Sequence, residues 1–365
     1  MVPVMRAMLI FVLSCLTQLV ICAGAVLAEP SRHDEKTHGD SIFVNPFGNW
    51  GYIDRTGKLV LRTQFGKCDQ FSDGLAAVNA GNKRGFINKN GKLVINSQFD
   101  QAGCFSDGLA RVAVARRYPT PTRVIGPMFG FIDRTGKLVI EHQFIDARDF
   151  SEGLACVLVD GKFGYIDKSG KLVIKPQFRI AHSFSEGLAA VRGCNKDSQY
   201  GFIDRSGNYT IKPQFSDASD FRDGLAPVRI DDKWGFIDKT GRLVIKPSFD
   251  RAYSFSEGLA SAAIGPKLTA HGYTAKSGTF VVDPNGPKTC LYPPVGFIDK
   301  NGKFIIKPQF FDGGFFSEGL ALVMRGDGLL GFIDKTGKFV IEPRYRAFNV
   351  GRFSEGLAPV KILAE

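Results

Sequence analysis

Leu225-Ala-Pro-Val-Arg-Ile-Asp-Asp-Lys-Trp-Gly-Phe-Ile-Asp-Lys-Thr-Gly-Arg-Leu-Val-Ile-Lys246 contains three short runs of β-branched and aromatic residues separated by two polar turns. Such runs between Asp/Gly turns are hairpin signals, so residues 225–230, 234–238 and 242–246 read as a three-stranded antiparallel meander. Asp238 opens the second turn with a side chain that can bond the following backbone, and Gly241 stands where a left-handed conformation is needed. Pro247 lacks a donor N–H, which predicts that the third strand stops before it. A connector such as residues 214–221 follows, anchored by Phe215 and Phe221, and Gly224 turns the chain into the next unit. Trp234 and Phe236 face one way while Gly235 and Ile237 face the other. Both faces are thus apolar, as in a sheet stacked between two others with glycine allowing close approach.

The unit recurs. Its leading glycine is found at Gly51, Gly85, Gly130, Gly164, Gly201, Gly235, Gly296 and Gly331, giving spacings of 34, 45, 34, 37, 34, 61 and 35. A period near 34 means that each copy is one supersecondary unit that must stack on its neighbours to bury its apolar faces. The 32 phenylalanines supply ample core. Helix signals are poor throughout, so the fold class is all-β, with eight tandem repeats of about 34 residues across 41–365. Ile42-Phe-Val44 stands where a leading strand of the first copy belongs, which leaves 357–362 as a surplus strand after the last. An open array needs such a cap, and 34 residues are few for a four-stranded blade. The expected assembly is therefore an open β-superhelix or solenoid; the alternative is a closed, β-propeller-like ring.

Trp50-Gly51 and Trp234-Gly235, each followed by Tyr/Phe-Ile-Asp-x-Thr-Gly, and the repeated Phe-Ser-Glu-Gly-Leu-Ala resemble the bacterial WG-repeat family over residues 41–365. The tryptophan itself is replaced by Arg84, Phe129, Phe163, Tyr200, Val295 and Leu330, so it is a packing position and not a chemical one. The resemblance implies a binding or scaffolding array without an assigned activity.

Residues 1–28 differ in composition: Arg6, an apolar run from Ala7 to Val20, then small residues that fit cleavage after Ala25 or after Ala28. This predicts a secretory signal peptide and a periplasmic or secreted protein without stable membrane insertion; an uncleaved anchor is the alternative. Residues 29–40 read as a flexible segment. Export places Cys68 and Cys104 in an oxidising compartment, and their similar offsets in neighbouring copies make them the candidate pair for a disulfide bridge; two small buried hydrophobes are the alternative.

Repetition argues against catalysis by the repeated residues, because an active site needs a few groups in one unique geometry. Glu152, Glu186, Glu257 and Glu318 occupy one turn position in successive copies and read as structural; His142 and His182 sit at different offsets with no nucleophile signature beside them. No phosphate loop, metal motif or cofactor motif is present, so no enzyme activity and no cofactor are expected. The chain carries a net charge of +11 at pH 7. The repeated motifs are electrically balanced, because the basic residues flanking each turn glycine are matched by turn aspartates and by the acids of the Ser-Glu-Gly element. The surplus lies in connectors and in two insertions, near 113–126 and 264–294, which open at the same point of the repeat. Arg111, Arg116, Arg117, Tyr118 and Arg123 form the densest unbalanced patch and are the candidate binding residues. The expected partner is a protein or an anionic cell-envelope polymer; nucleic acid is disfavoured by export. Glycan binding or processing by the insertions, and a structural spacer, are the alternatives.

Overall fold

The computed structural model describes residues 50–117, 124–195, 198–265 and 293–362. Among them, 29 β-strands and no helix are found, and every strand pairs antiparallel within a small sheet. In the unit quoted above, Ala226–Ile230, Lys233–Ile237 and Leu243–Phe249 bond in that order. A fourth, two-residue strand, Asp217–Ala218, lies against the first. The same short strand recurs as Asp146–Ala147 and Arg251–Ala252, and shrinks to the single bridges Cys68↔Val78 and Val350↔Val360 in two copies. The connector was expected to be irregular; instead it donates this strand, so the three-stranded reading becomes four.

The third strand also runs on through its proline. Trp234 pairs with Phe249 and Phe236 with Ile245, so the strand carrying Pro247 bulges opposite Gly235. A bulge leaves residues outside the ladder, and the missing N–H of proline costs nothing there. A Cβ on Gly235 would lie 2.6 Å from the Ile245 carbonyl oxygen and 2.8 Å from the Pro247 nitrogen. The leading glycine therefore serves the bulge inside its own sheet and not the approach of neighbouring sheets.

Asp238 opens a three-residue loop: the Gly241 N–H donates to the Asp238 carbonyl, and Gly241 has φ +87°. The Asp238 carboxylate accepts from the Thr240 N–H at 3.0 Å, the Thr240 hydroxyl at 2.6 Å and the Arg242 N–H at 3.1 Å. These bonds, the Thr240 hydroxyl foremost, hold the carboxyl below its ordinary range. Its contribution is present above the unfolded value of 3.8 and disappears as pH falls through the lower folded value. Asn88 accepts the equivalent backbone bonds in its copy with a neutral amide. Asp238→Asn, which keeps acceptors for the backbone bonds but loses the charge, is therefore expected to lower the melting temperature at pH 7 less than Asp238→Ala does; circular-dichroism melts of both variants check this.

Packing between sheets is as regular as the turns. Phe236 meets Phe255 of the next sheet with its ring tilted, at 4.9 Å between centroids, and seven equivalent tilted or edge-to-face pairs, from Tyr52–Phe71 to Phe332–Phe353, span 4.7–5.1 Å. Around each pair lies a buried cluster that joins two successive sheets. Phe236, Ile245 and Phe249 thus meet Ala252, Phe255 and Ala260.

The surplus strand at the end of the chain is not an unpaired cap. Ala358–Lys361 pairs with Trp50–Ile53, Gly51 opposite Val360, in the register that sets Gly235 opposite Val228. The place expected for residues 42–44, which lie outside the described residues, is thus filled from the other end of the sequence. The reading of residues 357–362 as a strand with no partner copy is corrected accordingly, and the reason is one of phase. Each sequence repeat starts at the Trp-Gly strand, so it supplies the last two strands of one sheet and the first two of the next. In the first sheet the strand Trp50–Ile53 is paired by Ala358–Lys361. Ile53 accordingly packs in one cluster with Phe332, Phe353, Ala358 and Val360.

Candidate functional site

The Ser-Glu-Gly-Leu element forms a two-residue hairpin turn. In Ser256-Glu-Gly-Leu259 the end residues exchange N–H to C=O bonds of 2.9 and 3.2 Å, while Glu257 and Gly258 have φ of 53° and 87°. Both central residues are left-handed, as a type I′ turn requires. A glutamate is strained there, and its side chain offsets the strain by reaching the next copy. The Glu257 carboxylate accepts from the Gly319 N–H at 3.0 Å, as Glu152 does from Gly187 at 2.9 Å and Asp223 from Gly258 at 2.7 Å. The same bond joins Asp73 to Gly108, Asp107 to Gly153, Glu186 to Gly224, Glu318 to Gly356 and finally Glu355 to Gly74. The series ends where it began. Turn lysines add to it, Lys239 with Glu186, Lys335 with Glu257 and Lys89 with Glu355, at 3.0–3.1 Å. These pairs are half-exposed, and each contributes about 0–1 kcal/mol. The charge balance read from the sequence is therefore made between copies, and the repeated acids are occupied structurally.

The copies differ most at the residue before the Phe of Phe-Ser-Glu-Gly: Gln70, Cys104, Asp149, Ser183, Asp220, Ser254, Phe315 and Arg352. Side chains at and near this position interact across distant copies. The Asp149 carboxyl is pushed up by its enclosure in protein, against the pull of Arg111, and the charge of Asp69 adds to the rise. The acids here have partners: Asp149 meets Arg111 at 3.2 Å, Asp312 meets Arg251 at 2.8 Å, and Asp220 lies 2.9 Å from the His182 ring nitrogen Nδ1. Asp69 is bonded by Arg84, at 2.5 Å. On another side Arg222 and Arg352 both lie over the Phe315 ring, their guanidinium carbons 5.7 and 5.1 Å from its centroid. A pocket of ≈ 240 Å³ opens beside them, lined by Phe315, Leu322, Met324, Leu330 and Arg352 among others.

Of the candidate binding residues, Arg111 is not part of an unbalanced patch. Its guanidinium bonds Asp149 and the Ala147 carbonyl and lies 5.1 Å over the Phe129 ring. Arg116 and Arg117 fall near the end of the strand Leu109–Arg117, which pairs with Val124–Asp133. Much of the first insertion is thus an extension of a hairpin. Tyr118 and Arg123 lie outside the described residues, as do 266–292 of the second insertion, residues 1–28 and residues 29–40. His182 carries Asp220 and, through its carbonyl, the Tyr165 hydroxyl at 2.7 Å, so it belongs to the inter-copy network. Arg222 was overlooked, although its signal was present: seven copies have serine at that position.

Cys68 and Cys104 are free thiols, which corrects the expected bridge. Cys68 is buried against Thr63, 3.5 Å away, while Cys104 lies near Asp149 of the next copy. Their offsets differ by two residues, enough to give them different surroundings. Burial pushes Cys68 up to about 11, and Cys104 and Cys156 up to about 12. Cys194 is exposed. Alkylation at pH 8 followed by peptide mass spectrometry is expected to label Cys194 readily in the native protein and the other three only after denaturation.

The family model for the WG containing repeat matches eight times, at residues 50–83, 85–115, 129–163, 163–195, 200–234, 234–265, 296–328 and 331–362. The chain belongs to the WG-repeat family. Each WG repeat so matched begins at the Trp-Gly strand, which is the phase that leaves the first sheet to be completed by the last repeat. Among solved structures, the WG-repeat protein is similar to BamB from Moraxella catarrhalis, with 10% identity over 85% of this chain and 97% of that one, at a TM-score of 0.45. It is also similar to the WD40 β-propeller domain of Doa1, with 14% identity over 73% of this chain and 94% of that one, at a TM-score of 0.35. No curated protein matches it.

Proposed function

We propose that this WG-repeat protein is exported, closes into an eight-bladed, propeller-like ring, and acts without catalysis as a binding platform for a macromolecular partner, a protein or an anionic cell-envelope polymer. The observation that carries the platform reading is the economy of the repeat. Its acids, turn lysines and aromatic pairs are spent on joining copies, while the sequence departs from the repeat at the strand-to-strand turns that hold both insertions. Loops set on a rigid scaffold are where binding residues concentrate. Closure is supported by the Trp50–Ile53 pairing with Ala358–Lys361 and by the Glu355 to Gly74 bond. Export is supported by the composition of residues 1–28.

The test replaces residues 116–125 by Asn-Gly, which keeps the flanking strands paired and removes Arg116, Arg117, Tyr118 and Arg123. The native chain is expected to retain a component of a cell-envelope extract on an affinity column and to release it as salt is raised, and the trimmed chain to retain none. Equal retention by a folded trimmed chain overturns the assignment of the insertion as the binding element. Detection of the chain in the cytoplasm, with residues 1–28 intact, overturns export.

A further inference from the structure

Arg222 and Arg352 come from copies far apart in sequence, yet both guanidiniums sit on the ring of Phe315. Among the described residues neither has a carboxylate partner, in contrast to Arg84, Arg111 and Arg251, whose acids are named above. Both arginines are exposed to solvent, yet the protein packed around Arg352, and with it the like charge of Arg222, draws its guanidinium below its usual range. Two like charges held on one ring repel, and an anion between them would relieve the repulsion. Phe315 holds both guanidiniums near one ring, because cations are attracted to an aromatic face. The guanidinium fork matches the two oxygens of a carboxylate.

The adjoining pocket defines the rest of the ligand. Its wall beside Arg352 is made by Phe315, Leu322, Met324 and Leu330, with Tyr253 and Asp312 also on the lining, the latter paired with Arg251 at 2.8 Å, and its ≈ 240 Å³ exceed the ~150 Å³ of an apolar cavity that admits benzene. Sites with apolar walls and a few convergent polar groups are the usual form of small-molecule pockets.

We propose that Arg222, Arg352 and the pocket beside Phe315 bind a small organic acid, its carboxylate on the two guanidiniums and its apolar body against Leu322, Met324 and Leu330. The ligand is distinct from the macromolecular partner, and its binding needs no partner to be present.

Calorimetric titration of the purified chain with 3-phenylpropanoate tests this, with the neutral 3-phenylpropanamide and inorganic phosphate as comparisons. The acid is expected to bind about tenfold or more tightly than the amide, a difference of about 1.4 kcal/mol or more. Phosphate, which has the charge but no apolar body, is expected to bind more weakly than the acid. Arg352→Gln should bring the affinity for the acid down to that for the amide, and Arg352→Lys should restore part of the loss. Leu322→Trp, which fills the pocket, should abolish binding of the acid and leave that of phosphate. Acid and amide binding equally, an acid affinity unchanged in a folded Arg352→Gln chain, or no heat from any of the three probes would each overturn the site. Phosphate binding as tightly as the acid would overturn the role of the apolar wall.

Discussion

Deleting residues 357–365 is expected to destabilise the whole array and not only its last copy. The deletion removes Ala358 and Val360 from the cluster they share with Ile53, Phe332 and Phe353, and takes the ladder partner from Trp50–Ile53. Trp50, Tyr52 and Ile53 are each 6% exposed or less in the intact chain, so apolar surface is uncovered at the junction of the first and last copies. It also frees an unpaired strand edge, a template for aggregation. In an open repeat array each unit contacts only its neighbours, and loss of a terminal strand is felt there alone. A thermal melt followed by near-ultraviolet circular dichroism separates the two cases. The expected result is a large fall in melting temperature with loss of a single cooperative transition. A melt that matches the intact chain would overturn closure, while leaving the pairing within the other sheets untouched.

Phe236→Ala is expected to cost about 3–5 kcal/mol, the range for deleting a buried aromatic ring from a packed core. Phe236 is fully buried and meets Phe255 of the next sheet at 4.9 Å and Phe249 at 6.4 Å. The truncation therefore opens a cavity at the junction of two sheets, where neither sheet can collapse without losing its own register. Chemical denaturation should show a lower midpoint. Phe236→Tyr is the informative partner. Two equivalent positions already carry tyrosine: the Tyr52 hydroxyl donates to the Asp69 carbonyl and the Tyr165 hydroxyl to the His182 carbonyl, at 2.8 and 2.7 Å. The corresponding carbonyl for Phe236 belongs to Tyr253, and a tyrosine that reaches it should retain most of the stability that alanine loses.

Strand runs, turns and the stacking of sheets through two apolar faces were legible in the sequence, because each is encoded within about ten residues by alternation and turn chemistry. The bulge at Pro247 was not, because proline reads as a stop until the glycine opposite is known to admit the bulged backbone. The pairing of the first and last described strands was hidden for a different reason. Trp50 pairs with Lys361 across most of the chain, and Ile42-Phe-Val44 offered a local strand for the same place. Periodicity tells which residues are equivalent, not which end meets which. The repeated acids were read correctly as turn residues, but their partners lie in the next copy, and spacing alone carries no information on that. Arg111 looked unbalanced because Asp149 is 38 residues away.

The bond from Glu355 to Gly74 gives the eight acid-to-glycine links no natural beginning. No copy is then first in this series, and the chain can be cut between copies at no loss of these contacts. New termini opened within 266–292, with residue 362 joined to residue 50 by a short linker, would leave every one of the eight links and every aromatic pair in place.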